Sequence, residues 1–101
     1  MRIFVDIDGT ICHTPNEEGA WQYKKAIPIQ ANIDKINKLY NEGHEIIYWT
    51  ARGSVTGKDW TDMTAEQLDN WGCQWNELIC GKDKGAFDMI IDDKARRIDE
   101  I

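Results

Sequence analysis

Four short apolar runs punctuate the chain, each set off by polar residues: "RIFVDI" at 2–7, "HEIIYWT" at 44–50, "NELIC" at 76–80 and "FDMII" at 87–91. Continuous runs of this length, rich in β-branched residues, predict strands buried on both faces of a parallel sheet. Between the first and second, Ile29, Ile33, Ile36, Leu39 and Tyr40 recur at helical spacing, with Lys, Asn and Asp filling the opposite face. Gly43 follows as the residue that ends that helix. A second helix is predicted before Gly72. "TAEQ" at 64–67 fits a capping box with Thr64 as N-cap and Gln67 at N3, and a start nearer Asp59 or Thr61 fits as well. Residues 12–28, with Pro15, Gly19 and Pro28, read as a loop or small hairpin.

Strands alternating with helices predict an α/β fold: a central parallel sheet, right-handed crossovers and helices outside it. Ligands bind such sheets beyond the carboxyl ends of the strands. Those ends carry the polar chemistry here: Asp6 and Asp8 after the first, Thr50 after the second, Lys82 and Lys84 after the third, Asp92 and Asp93 after the fourth. The 101 residues suit one domain spanning 1–101, with no repeat and no linker.

Charge narrows the ligand class. Eighteen acids against twelve bases give a net charge of −6, which disfavours a broad nucleic-acid surface. A small anionic ligand remains compatible, because a bound metal ion can make a site locally positive. Three Cys, at 12, 73 and 80, lack disulfide-framework spacing and read as reduced thiols. The first apolar run is broken at Asp6, unlike a secretory signal, and nothing approaches a membrane span, so a cytoplasmic location is expected.

Residues i and i+2 of an extended chain point the same way, so Asp6 and Asp8 are expected to face one site. Asp92 and Asp93 arrive from another strand end. Carboxylates at that density repel, and a divalent cation resolves the conflict; hard oxygen donors suit Mg2+. A Mg2+ site beside a Lys and a Thr hydroxyl suits a phosphoryl group. One Asp can attack phosphorus, and a second two residues on can move the proton.

The segments "DIDGT" (6–10), "TAR" (50–52), the Lys of "CGKDK" (80–84) and "IDD" (91–93) resemble, in order and spacing, the four motifs of the haloacid dehalogenase superfamily of phosphohydrolases. The resemblance covers the whole chain. It implies a three-layer Rossmann-like fold, with Asp6 as nucleophile and Mg2+ ligand. Asp8 is then the general acid/base and binds Mg2+ through its backbone carbonyl. Thr50 and the N–H of Ala51 hold the phosphate, joined by Gly9, Thr10 and Arg52. Lys82 fits the third motif because it directly follows Gly81, with Lys84 as its competitor. Asp92 binds Mg2+ directly, and Asp93 does so directly or through water. An acid at the second position separates the phosphatase pattern from that of the dehalogenases.

Many superfamily members carry a cap domain after the first or second motif, and the short gaps here resemble the capless subgroup. Several small members of that group are tetramers whose neighbours cover the open site, so a homo-oligomer is expected. The spacing and the "IDDKA" ending are also similar to small proteins of capsule and surface-polysaccharide biosynthesis. The expected substrate is therefore a small phosphorylated metabolite, a sugar phosphate first. A nucleotide or a phosphorylated nucleic-acid end is the enzymatic alternative. A phosphate- and Mg2+-binding regulatory module without turnover is the rival from another class.

Other residues have plainer readings. Arg52 either contacts substrate or pairs with an acid. Cys12 is a bystander thiol, and His13 and His44 lack ligand spacing. Trp49 and Trp71 belong to the core, whereas Trp21 and Trp60 fall in loops that could flank the site.

Overall fold

A computed structural model of the chain describes residues 1–54, 57–81, 89–91 and 98. The first strand, β1 (Arg2–Asp6), is central to a four-stranded parallel sheet with β6 (Glu45–Thr50), β7 (Glu77–Cys80) and β8 (Met89–Ile91). The spatial order is β7-β6-β1-β8. Building from β1, the chain steps outward through β6 to β7, and β8 then lies on the far side of β1. The order therefore reverses beside β1, where open α/β sheets leave a crevice at the carboxyl ends.

Ile3, Val5, Ile46 and Tyr48 share a cluster with Ile33, Ile36 and Leu68, all fully buried. They come from alternate positions of β1 and β6 and from α1 (Gln30–Asn41) and α2 (Thr61–Asn70), so both helices cover the same sheet face. Phe4 and Ile47, at the intervening positions, are also fully buried. Burial on both faces explains why these strands read as continuous apolar runs.

The helices end in the same way. Gly43 and Gly72 take φ of +98° and +76°. The N–H of Gly43 donates to Tyr40 and that of His44 to Leu39; the N–H of Gly72 donates to Asp69 and that of Cys73 to Leu68. These paired bonds satisfy the terminal carbonyls in a Schellman arrangement, and the left-handed φ favours glycine. Residues 12–28 form two small antiparallel pairs. One joins β2 (Cys12–His13) to β5 (Ile27–Pro28), and the other joins β3 (Asn16–Glu17) to β4 (Ala20–Trp21). A 3-10 turn at Tyr23–Lys25 follows the second pair.

The start of α2 decides between the two sequence readings. The helix begins at Thr61 with Trp60 as N-cap, and Asp59 Oδ1 accepts the Thr61 N–H at 2.9 Å. Thr64 is therefore not the N-cap. It is fully buried inside the helix, one turn below its start.

Candidate active site

Asp6 closes β1, and its register partner on β6 is Trp49, so Thr50 lies one position further along the neighbouring strand. Thr50 in turn pairs with Cys80 at the end of β7. The carboxyl ends of three adjacent strands thus present Asp6, Thr50 and Cys80 along one edge. Ile91 of β8 is opposite Val5. Asp92 and Asp93 follow it in sequence but lie outside the described residues, as do Lys82 and Lys84 after Gly81.

Beyond Asp6 the chain turns sharply. The N–H groups of Thr10 and Ile11 both donate to the Ile7 carbonyl, and that of Gly9 donates to Cys12. Gly9 takes φ of +86° with open space where a Cβ would stand, so backbone conformation rather than crowding favours glycine there. The turn spends the Gly9 and Thr10 N–H groups internally. What Thr10 retains is its side chain: the hydroxyl is buried with no partner among the described residues. The Asp6 carboxylate accepts the Ile7 N–H at 2.9 Å.

Asp8 is gripped from the neighbouring strand end, just past β6. Arg52 Nε donates to Asp8 Oδ2 at 3.0 Å and Arg52 Nη2 to Oδ1 at 2.7 Å, a bidentate pair. Thr14 donates a further short hydrogen bond to Oδ1, and the Cys12 thiol approaches the same oxygen at 3.7 Å. The Arg52 side chain has no exposed surface. Its Nη1 donates to Thr64 Oγ1 at 3.1 Å and to Gln67 Oε1 at 2.7 Å, both on α2. Gln67 Nε2 donates to the Tyr23 carbonyl at 2.7 Å, and the Tyr23 ring lies against the guanidinium, 4.7 Å from centroid to Cζ. Of the two readings of Arg52, the structure shows the pairing with an acid.

Local electrostatics follow from this crowding. Burial pushes the Cys12 thiol up to about 11, with the Thr14 hydrogen bond working against the rise and the Asp8 charge adding to it. Such a thiol is a poor nucleophile, which agrees with the bystander reading. Burial, then the Asp8 charge, also raises Tyr23. Burial raises Cys80 despite hydrogen bonds from Thr64 and Thr61.

Thr50 is buried, with its hydroxyl accepting the Arg52 N–H at 3.1 Å and its carbonyl accepting the Gly81 N–H at 2.8 Å. Ala51 is exposed beside it. A cavity of about 380 Å3 opens beyond, walled in part by Arg52, Lys58, Trp60 and Cys80. Trp60 thus lines the cavity beside Arg52, edge-on to Tyr23, whereas Trp21 stands 55% exposed on the small hairpin.

Among the described residues no group of three His, Cys, Asp or Glu side chains could hold a metal. Oxygen donors near the turn include the Asp6 carboxylate, the Thr10 hydroxyl and the Asp8 carbonyl, to the last of which no described backbone donor outside the strands and helices bonds. The Asp8 carboxylate is already committed to Arg52. Four further participants were not marked in the sequence as site residues: Thr14, Tyr23, Thr64 and Gln67. The last two carried a signal that was misassigned, because the spacing of a capping box also puts two side chains on one helix face.

No protein-family model matches the chain, and no curated protein matches it. The fold is similar to that of a structural-genomics target from Vibrio cholerae solved by crystallography. The TM-score is 0.73 at 27% identity, over 99% of this chain and 86% of that one. The chain is thus a small α/β protein with a central parallel sheet, and among its described residues no helix is long and apolar enough to cross a membrane.

Proposed function

We propose that the chain is a Mg2+-dependent phosphomonoester hydrolase of the capless haloacid dehalogenase type, with a three-layer Rossmann-like fold. The observation that carries the reading is the pairing, at the carboxyl end of the strand beside the sheet reversal, of Asp6 with a second acid that the protein holds in a fixed orientation. A merely solvated acidic turn has no use for a buried guanidinium.

In this reading Asp6 attacks phosphorus and the ester oxygen departs with a proton from Asp8. Water then attacks the aspartyl-phosphate while Asp8 takes the proton back. Thr50 and Ala51 receive the phosphate oxygens, with Lys82, or Lys84 in its place, supplying positive charge. The oxygen donors fit Mg2+: the Asp6 carboxylate, the Asp8 carbonyl, Asp92 and Asp93 would hold it, and when bound it supplies charge neutralisation for the phosphoryl group. The open cavity beside Arg52 and Trp60 accommodates a small leaving group, and a sugar phosphate of polysaccharide biosynthesis is the favoured class. A homo-oligomer would supply cover for a site without a cap.

The test is phosphate release from a panel of sugar phosphates and nucleotides, with and without Mg2+, by wild type and Asp6→Asn. Mg2+-dependent release that the substitution abolishes is expected. Release that survives in Asp6→Asn removes Asp6 as nucleophile. A folded protein that binds phosphate and Mg2+ without turning over any ester would favour the regulatory-module reading.

A further inference from the structure

A guanidinium with no exposed surface must find all its partners within the protein. Arg52 finds them in two directions: both oxygens of Asp8 on one side, Thr64 and Gln67 of α2 on the other. Its flat face rests on Tyr23, whose carbonyl is held by the same Gln67. The arginine is therefore fixed by a helix, a loop and an aromatic ring before it touches Asp8. Lysine could not replace it, because one ammonium cannot reproduce a planar fork that meets both carboxylate oxygens while donating backwards to two more acceptors.

The consequence falls on Asp8. Oδ1 accepts from Arg52 and Thr14 and has the Cys12 thiol nearby, so it is saturated. Oδ2 accepts only from Arg52 Nε among the described residues, and one lone pair remains. Rotation of the carboxylate would break three hydrogen bonds at once.

We propose that Arg52 is a positioning residue that, braced by Gln67 and Thr64, locks the Asp8 carboxylate in one rotation and leaves Oδ2 as the oxygen that exchanges the proton. This rests on the hydrolase reading above. In the first half-reaction the Asp6–phosphorus bond forms as the ester oxygen–phosphorus bond breaks, and the proton on Oδ2 passes to the leaving oxygen. In the second, the oxygen of water bonds phosphorus as the Asp6–phosphorus bond breaks, and the water proton returns to Oδ2. Arg52 acts only through Asp8 in this scheme: it donates to Oδ2 but bonds neither phosphorus nor the leaving oxygen.

The role separates from a purely structural one by its dependence on the leaving group. The ratio kcat/KM reports only steps through departure of the first product. An alkyl phosphate needs its leaving oxygen protonated, whereas p-nitrophenyl phosphate does not. Arg52→Lys and Gln67→Leu are compared with wild type on p-nitrophenyl phosphate and on a sugar 6-phosphate, with circular dichroism to establish the folded fraction. The second variant leaves Arg52 in place should the first fail to fold.

Misplacing a general acid by an ångström costs on the order of a hundredfold. Arg52→Lys is expected to lose about that factor in kcat/KM on the sugar phosphate, with Gln67→Leu losing less. Both are expected to keep most of their kcat/KM on the aryl ester. Equal losses on the two esters by folded variants would overturn the positioning role while sparing the hydrolase reading. Absence of turnover of both esters by wild type would overturn the hydrolase reading, and the role of Arg52 with it.

Discussion

A fully buried region and a partly buried one are held together in opposite ways in this small protein. Under α1 and α2, Ile3, Val5, Ile33, Ile36, Ile46 and Leu68 pack without a directional bond among their side chains. At the carboxyl ends of β1 and β6, Arg52, Asp8, Thr14, Thr64 and Gln67 are joined instead by polar contacts, each with a donor, an acceptor and a length. The apolar region needs volume and shape and tolerates exchange of similar side chains. The polar region needs particular atoms, and a missing partner leaves the others desolvated and unsatisfied. A protein has reason to keep so demanding a cluster where geometry matters more than stability, and this one surrounds a proposed proton carrier.

Substitutions can break that contrast, and the largest effect is expected at its centre. Arg52→Met removes the guanidinium and strands the Asp8 carboxylate, Thr64 and Gln67 together. Urea unfolding should show a loss of about 3–5 kcal/mol, the cost of breaking a buried ion pair on one side. A loss under about 1 kcal/mol would mean that water replaces the arginine freely and that the cluster is not a rigid unit. Gln67→Leu keeps the ion pair but leaves Arg52 Nη1 and the Tyr23 carbonyl short of partners, and about 1–3 kcal/mol is expected by the same measurement. In the apolar region Ile33→Val removes one methylene and should cost about 0.5–1.5 kcal/mol. Should Ile33→Val cost more than Gln67→Leu, the proposed order of tolerance is wrong.

The smallest effect is silent at neutral pH and sharpens the comparison from the apolar side. Burial pushes Cys73 up to about 11 and Tyr48 well above its ordinary value, each next to the other. The unfolded chain titrates these groups near 9.0 and 10.0. Between those values and the raised ones, the unfolded chain sheds protons that the folded chain keeps. Their contribution is complete below about pH 9 and is lost as pH rises through the folded values. The urea midpoint should therefore fall above about pH 9, and Tyr48→Phe should flatten part of that fall. A decline equally steep in Tyr48→Phe would place its origin elsewhere.

The same division governs what was legible in the sequence. Ile33, Ile36 and Leu39 announced α1 by spacing, and Gly43 and Gly72 marked both helix ends because a left-handed terminal residue favours glycine. Asp6, Thr50 and the acids after Ile91 stood out because strand ends are where parallel sheets bind ligands. The polar cluster stayed hidden, since nothing local to Gln67 signals partners as distant along the chain as Arg52 and Tyr23. "TAEQ" had a sufficient local explanation, a capping box, and the long-range one won: Thr64 and Gln67 reach for Arg52, while Asp59 satisfies the start of the helix instead. Periodicity reports burial of surface, whereas hydrogen-bond networks depend on tertiary neighbours that no window of sequence contains.

The central claim is that Asp6 carries the phosphoryl group during turnover. The most direct measurement is acid-quenched mass spectrometry of the protein turning over p-nitrophenyl phosphate with Mg2+, in wild type and Asp6→Asn. The account predicts one added phosphoryl group, on the peptide containing Asp6, in wild type and none in Asp6→Asn. Phosphate release by wild type that persists undiminished in Asp6→Asn, with no phosphoryl group on either protein, would contradict it.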